Sequence, residues 1–213
     1  MGFLSVLGMA HKLAAERIAP GDPAVDATVG GGNDTLLLAR SVGRGGIVYG
    51  FDIQEEALER ARRKLAAEGE ALHERVELIL ADHSQMAERL PGQLRGKLAA
   101  VMFNLGYLPG GDPAVITLPP TTLKALATAA EWLKPGGVLT VVVYPGHPGG
   151  REEADAVEAW CRSLPQDRFQ VLLYRLFGHD DRPYLLAVEK SKKSPRRSTP
   201  VDPDDETDSE TDV

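Results

Sequence analysis

The stretch that decides the fold is Ala24–Ala39, which reads AVDATVGGGNDTLLLA. Its first residues, Ala24 to Thr28, predict a short strand, and the glycines after them predict a tight turn. Asn33 or Asp34 can cap the helix that follows, whose leucines then pack on the sheet. A strand joined to a helix by such a turn is typical of a parallel α/β unit.

The same alternation continues along the chain. Apolar runs predict four further strands, and residues at helical spacing predict the helices between them. We expect the helix that starts at Thr121 to be stopped by Pro135-Gly136-Gly137. The predicted strands are Ile47–Phe51, Val76–Leu80, Leu98–Phe103 and Val138–Tyr144, and the longer helices are Glu55–Glu68, Thr121–Lys134 and Glu152–Cys161.

The last two strands differ from the others in their connection. Phe169–Phe177 and Tyr184–Glu189 are joined by Gly178–Pro183, which is too short for a parallel crossover, so we expect an antiparallel hairpin. The whole order predicts an α/β fold: a Rossmann-like, doubly wound sheet of seven strands, mostly parallel, with an antiparallel C-terminal hairpin at its edge. We predict one domain over residues 1–190 and a tail over residues 191–213.

The tail explains the net charge of -7. Residues 201–213 carry seven acids and no base, and without them 24 basic and 24 acidic residues balance. A basic cluster from Lys190 to Arg197 precedes these acids. A segment so polar cannot bury enough surface to fold, so we expect a disordered, solubilising tail. The alternative is that its basic part touches nucleic acid.

Length and composition exclude several classes. A chain of 213 residues suits one well-cored domain, and no apolar run approaches the roughly 20 residues of a membrane span. The N-terminus reads as an amphipathic helix rather than a signal peptide. Cys161 is the only cysteine, which excludes an internal disulfide and a cysteine cluster for zinc. We therefore expect a cytoplasmic protein that does not bind membranes.

Acidic residues follow three successive predicted strands. Asp26 opens the glycine-rich turn, Asp52 stands where an acid accepts hydrogen bonds from ribose hydroxyls, and Asp82-His83 can read an adenine edge. The turn lacks the last glycine of the dinucleotide pattern G-x-G-x-x-G, because Thr35 stands there. A carboxylate at Asp26 suits a positively charged ligand better than a pyrophosphate. Together the acids predict a site for S-adenosylmethionine and disfavour a nicotinamide cofactor.

A further loop follows the strand that ends at Phe103. It reads Asn104-Leu105-Gly106-Tyr107-Leu108-Pro109-Gly110-Gly111-Asp112. An amide and a phenol are thereby exposed at the carboxyl end of a strand, where open α/β sheets bind their ligands.

These motifs resemble one bacterial branch of the class I methyltransferases. The branch carries Asp-Ala-Thr-x-Gly-Asn-Gly-His-Asp-Thr, Asn-Leu-Gly-Tyr-Leu-Pro-Gly-Gly-Asp and Tyr-Pro-Gly-His-x-Gly-Gly-x-Glu. This chain matches the third motif with Tyr144-Pro145-Gly146-His147-Pro148-Gly149-Gly150-Arg151-Glu152. The branch was first labelled rRNA methylase and is now associated with methylation of 5-(aminomethyl)-2-thiouridine at the tRNA wobble position. The resemblance covers roughly residues 10 to 190 and departs from the family at Gly31, Asn33 and Pro113.

The resemblance implies roles for individual residues. Asn104 would orient the acceptor amine, Tyr107 would hold the base, and Asp112 or His147 would take the proton. The alternatives from the sequence are that Asp112 only caps its loop and that His147 is an exposed loop residue. The anticodon region of tRNA would be the partner, and a homodimer is compatible with the sequence. The cofactor site would comprise Asp26, Thr28, Gly30, Gly32, Asn33, Asp34, Thr35, Asp52, Ile53, Asp82, His83 and Asn104.

Other readings stay open from the sequence. The substrate of the same fold could be rRNA or a small amine, or the chain could be a nucleoside-binding module without activity. His11 resembles a family histidine, but its helical position favours a structural role. Trp132 and Trp160 are expected in the core, and the segment His179–Tyr184 is a candidate wall of the substrate cleft.

Overall fold

The computed structural model describes residues 2–112, 114–178 and 181–192. Seven strands and seven α-helices alternate along them, with short 3-10 turns at His83–Gln85 and Gly92–Leu94. None of the described helices is both long enough and apolar enough for a membrane span. The elements are α1 (Val6–Arg17), β1 (Pro23–Asp26), α2 (Asn33–Ser41), β2 (Ile47–Asp52), α3 (Glu55–Ala67), α4 (Glu70–His73), β3 (Val76–Leu80), α5 (Met86–Arg89), β4 (Leu98–Asn104), α6 (Pro119–Trp132), β5 (Leu133–Val143), α7 (Gly150–Ser163), β6 (Phe169–Tyr174) and β7 (Tyr184–Lys190).

The strands form one sheet in the order β3-β2-β1-β4-β5-β7-β6. Strands β1 to β5 are parallel to one another, whereas β7 is antiparallel to both β5 and β6. The predicted doubly wound sheet with a reversed C-terminal hairpin is therefore confirmed. Chain order reverses direction between β1 and β4, so a crevice opens beyond their carboxyl ends.

The core lies on both faces of the sheet. Alternate residues of one strand enter different clusters: Val101 and Phe103 pack with α6 and α7, while Ala100 and Met102 pack with α1 and α2. A central strand covered on both faces must be apolar at every position, which explains the unbroken run Leu98–Phe103. Trp132 belongs to the first cluster, as expected, whereas Trp160 is only partly buried and packs against that cluster.

The boundary between α6 and β5 differs from the prediction. The helix ends at Trp132 and the strand begins at Leu133, so the strand already contains Pro135-Gly136-Gly137. Pairing with β4 shifts between Leu98 and Ala100, which lie opposite Leu133 and Val138. The extra residues form a bulge, where a proline without a backbone N–H is tolerated.

Two smaller predictions also need correction. The N-cap of α2 is Gly32 rather than Asn33 or Asp34, and no side chain caps this helix. Strand β6 ends at Tyr174 instead of Phe177. Most of the predicted tail, from residue 193 onward, lies outside the described residues.

Candidate active site

A cavity of about 620 Å³ opens at the carboxyl ends of the parallel strands. Its volume lies within the usual range for small-molecule sites. The loops after β1, β2, β3, β4 and β5 all contribute to its wall. The predicted residues on the wall are Thr28, Gly30, Asn33, Asp34, Asp52, Ile53, Asp82, His83, Asn104, Tyr107 and His147.

Asp26 lies behind this wall and not on it, contrary to the expected contact with a positively charged ligand. Its side chain is fully buried and accepts hydrogen bonds from the Thr28 N–H at 3.1 Å and the Thr35 hydroxyl at 2.5 Å. Burial raises the pKa of Asp26 to about 7, and the neighbouring charge of Asp34 adds to this, while the two hydrogen bonds oppose it. Asp26 and Thr35 thus brace the glycine turn from inside.

The turn itself brings α2 close to α3. Gly32 has a φ of +75°, and a Cβ there would lie 2.9 Å from the Cα of Ala61. Gly32 is therefore a packing residue and does not line the cavity. Asn33 is on the wall and accepts a hydrogen bond from Lys64.

Asp52 is fixed at the end of β2. One carboxylate oxygen accepts the Gly30 N–H and the other accepts the Gln54 N–H, both at 2.9 Å. An ionised carboxylate has about four acceptor positions, so both oxygens retain capacity for a ligand's hydroxyl groups.

Asp82 and His83 follow β3. Partial burial disfavours the charged form of Asp82, but hydrogen bonds from Ser84 and the nearby His83 and Lys124 outweigh it, so the pKa lies below its usual value. His83 is only 6% exposed, and burial lowers its pKa. Its Nε2 finds no hydrogen-bond partner in the part of the chain that the structure describes.

Asn104 is the last residue of β4, and its side-chain oxygen has no hydrogen-bond partner among the described residues. Its backbone N–H donates to the Thr28 hydroxyl at 2.7 Å, which ties β4 to the glycine turn. Its side-chain Oδ1 is buried and lacks a partner within the described residues. Because such an atom costs about 1 to 3 kcal/mol when unsatisfied, it marks a position where a bound donor would be stabilising.

Tyr107 and His147 form the outer wall. Tyr107 is 48% exposed, and its ring meets the His147 ring edge-on, with centroids 5.7 Å apart. The His147 Nδ1 lies 2.9 Å from the Pro148 carbonyl oxygen. Since a carbonyl can only accept, Nδ1 carries the proton in the neutral ring, and Nε2 has the lone pair.

Asp112 is not part of this wall, although it was predicted to take the proton. Its side chain accepts the Ala114 N–H at 2.9 Å and so closes a local turn. Asp181, in the segment between β6 and β7, does line the cavity, and Arg151 donates to it at 3.2 Å. Tyr184 is buried and bonded to Glu158, whereas His179 and Asp180 lie outside the described residues.

Sequence reasoning missed one cluster beside the wall. The His11 Nε2 lies 2.6 Å from Asp34, and that hydrogen bond raises the pKa of His11. Tyr144 lines the cavity beside Asn104. Burial together with the charge of Asp34 raises the pKa of Tyr144, and a hydrogen bond with the Asn104 side chain opposes this rise. The available signal was position, because Tyr144 follows β5 directly, much as Asn104 ends β4.

Comparisons with known proteins agree on methyl transfer as the type of reaction. A family model described as "Putative rRNA methylase" matches residues 48–190. An Arabidopsis thaliana protein named tRNA (mnm(5)s(2)U34)-methyltransferase, chloroplastic, is 43% identical over 188 residues, which cover 85% of this chain and 68% of that protein.

Two solved structures extend the agreement to three dimensions. A "putative rRNA-methylase" from Clostridium thermocellum is 39% identical, with a TM-score of 0.83, over 89% of this chain and 100% of the other. A "putative methyltransferase" from Streptococcus mutans, in complex with SAH, is 35% identical, with a TM-score of 0.78, over 89% of this chain and 99% of the other.

Proposed function

Because the chain belongs to the rRNA methylase family of S-adenosylmethionine-dependent methyltransferases, we propose that it methylates the aminomethyl group of 5-aminomethyl-2-thiouridine at the tRNA wobble position. The observation that carries the acceptor chemistry is the Asn104 Oδ1 on the cavity wall, which has no hydrogen-bond partner among the described residues. The choice of nucleoside is supported by the name of the Arabidopsis relative.

The cavity has the groups that S-adenosylmethionine needs. The free acceptor positions of Asp52 suit the ribose hydroxyls, and Asp82 with the backbone at His83 suits the adenine. Asp34 replaces Asp26 as the carboxylate for the ammonium group, because Asp34 lines the cavity and Asp26 does not. When bound, this cofactor supplies a methyl group on a positively charged sulfur.

The acceptor must be a neutral amine, since a protonated amine has no lone pair. We assign proton removal to His147, because its Nε2 carries the lone pair in the neutral ring. Asn104 Oδ1 accepts one of the two N–H groups of the neutral amine and turns the nitrogen lone pair toward the position of the methyl group. Bound S-adenosylmethionine would supply that methyl group for the new N–C bond, and the electrons of its methyl–sulfur bond would stay on sulfur.

Tyr107 can bind a nucleic-acid base at the entrance of the cavity by stacking. Its half-exposed ring offers a stacking face at the mouth of the cavity. The wobble base belongs to the single-stranded anticodon loop, so it can enter without breaking a base pair. We therefore place the anticodon region of tRNA at this mouth.

Two substitutions test this assignment. Asp52→Ala removes the ribose acceptor and should weaken cofactor affinity, measured by calorimetry, by about 100-fold or more. Asn104→Ala should keep that affinity and lose methyl transfer to tRNA that carries the aminomethyl precursor. Glu59→Ala, on the exposed face of α3, is the control and should behave as wild type. Normal cofactor binding by Asp52→Ala would show that the site is assigned wrongly.

A homodimer is proposed on a separate observation. Edge strand β6 exposes Val171, Leu172 and Leu173 by 43%, 45% and 51%, and a second copy would cover them by antiparallel pairing along the same edge. A cytoplasmic location remains a prediction from the sequence.

A further inference from the structure

A buried carboxylate lies behind the loop that carries Asn104 and Tyr107. Glu153, in the first turn of α7, is only 2% exposed. Its two oxygens accept hydrogen bonds from the hydroxyls of Thr117 and Thr122, each at 2.6 Å. A buried carboxylate is strongly disfavoured unless donors satisfy it, so these two contacts hold Glu153 and both threonines in defined positions.

Thr117 connects Glu153 to the loop of Asn104 and Tyr107 through hydrogen bonds with Gly106. Its hydroxyl donates to Glu153 and accepts the Gly106 N–H at 2.8 Å, while its own N–H donates to the Gly106 carbonyl at 2.9 Å. A β-bridge between Tyr107 and Ile116 continues the pairing. Because the Thr117 hydroxyl donates its hydrogen bond to Glu153, the oxygen lone pairs of Thr117 are turned toward the Gly106 N–H.

Gly106 lies next to the three residues proposed to handle the acceptor, Asn104, Tyr107 and His147. It lies two residues from Asn104 and directly before Tyr107. A Cβ on Gly106 would lie 3.3 Å from the His147 Nε2, and one on Gly150 would lie 2.9 Å from the same atom. The imidazole is therefore packed against Gly106 on one side and the start of α7 on the other.

We propose that Glu153 is a positioning residue for methyl transfer, acting through Thr117 on Gly106. It fixes the loop so that Asn104, Tyr107 and His147 keep their relative geometry. Glu153 does not line the cavity, whereas Thr117 does. This inference rests on the proposed function in one respect, because it assumes that those three groups handle the acceptor.

The test compares two isosteric variants of the same network. Thr117→Val removes the link from Glu153 to Gly106, whereas Thr122→Val breaks only the other hydrogen bond of the carboxylate. A misplacement of about 1 Å can lower turnover by about 100-fold. We expect kcat to fall about 10- to 100-fold in Thr117→Val, with KM and cofactor affinity within about twofold of wild type. Thr117→Ser keeps the hydroxyl and should therefore retain most of the wild-type kcat. Thr122→Val should also keep the wild-type kcat, although its unfolding temperature should fall about as much as that of Thr117→Val.

A double variant tests whether Glu153 acts through Thr117. Glu153→Gln alone should lower kcat. In a protein that already carries Thr117→Val it should have no further effect on kcat, because the hydrogen bond between Thr117 and Glu153 is already lost. Multiplicative losses in the double variant would overturn the proposal. Equal losses of kcat in Thr117→Val and Thr122→Val would also overturn it, since they would reflect stability alone.

A second readout separates this inference from the proposed substrate. The ring signals of His147 in nuclear magnetic resonance spectra should shift in Thr117→Val and stay unchanged in Thr122→Val. Unchanged signals in both variants would contradict the positioning role. A wild-type protein that transfers no methyl group to tRNA would contradict the proposed function but not this role.

Discussion

At the scale of single residues, the carboxylates around the glycine turn differ in what surrounds them. Asp26 is enclosed by the sheet and two hydrogen-bond donors, and burial raises its pKa to about 7. Asp34 lies on the cavity wall and is paired with His11 from α1. The sequence could not predict this division, because both acids flank the same turn and only the twist of the chain decides which one faces outward.

The pair of His11 and Asp34 gives a pH-dependent contribution to stability. The hydrogen bond to Asp34 raises the pKa of His11 above its ordinary value of 6.5, so the folded state binds its proton more tightly than the unfolded state. The extra stability is complete below pH 6.5 and is lost as the pH rises through the raised pKa. His11→Gln should lower the free energy of unfolding by about 1 to 2 kcal/mol at about pH 6.

Urea unfolding of both proteins at about pH 6 and about pH 9 measures this difference. It should shrink at the higher pH, where the wild-type histidine is neutral. A difference that grows with pH would contradict the assignment.

At the scale of elements, patterns local to one segment were predictable and pairings between segments were not. The hairpin of β6 and β7 was predictable from the short predicted connection Gly178–Pro183. The observed connection, residues 175–183, is longer because β6 ends at Tyr174, but it still leaves no room for a crossover. The start of β5 depends on a bulge opposite β4, and no local pattern around Pro135 encodes that register. The N-terminus of α2 was likewise not predictable from local sequence, because its N-cap, Gly32, is determined by close contact with α3.

Gly32 therefore provides a test at this scale. Gly32→Ala would bring a Cβ to 2.9 Å from the backbone of Ala61, in addition to the strain of a φ of +75°. We expect a loss of about 2 to 4 kcal/mol in the free energy of unfolding, together with weaker cofactor binding.

Gly45→Ala is the matched control. Gly45 has a φ of +84°, and apart from its neighbours in the chain no atom of the described residues lies within 4 Å of the added Cβ, so only the strain of about 1 kcal/mol applies. Chemical denaturation gives both values. Equal losses in the two variants would mean that close packing of α2 on α3 does not matter.

At the scale of the whole molecule, one edge of the sheet gathers the candidate site. Parallel strands end at the same edge, so residues that follow each strand were predictable as neighbours, and most of them line one cavity. Asp112 was misjudged because its motif says nothing about the direction of its side chain, which turns back on the Ala114 N–H. The hydrogen-bond network of Glu153 was not predictable from the sequence either. Its members, Gly106, Thr117, Thr122 and Glu153, come from three separate segments of the chain.

The central claim is the identity of the methylated group. Purified protein would be incubated with S-adenosylmethionine that carries an isotope-labelled methyl group and with tRNA containing 5-aminomethyl-2-thiouridine, with rRNA in a parallel reaction. Mass spectrometry of the digested nucleosides should find the label in 5-methylaminomethyl-2-thiouridine, as the unmethylated precursor disappears. Label in an rRNA nucleoside, or an unchanged precursor in the tRNA, would contradict the account.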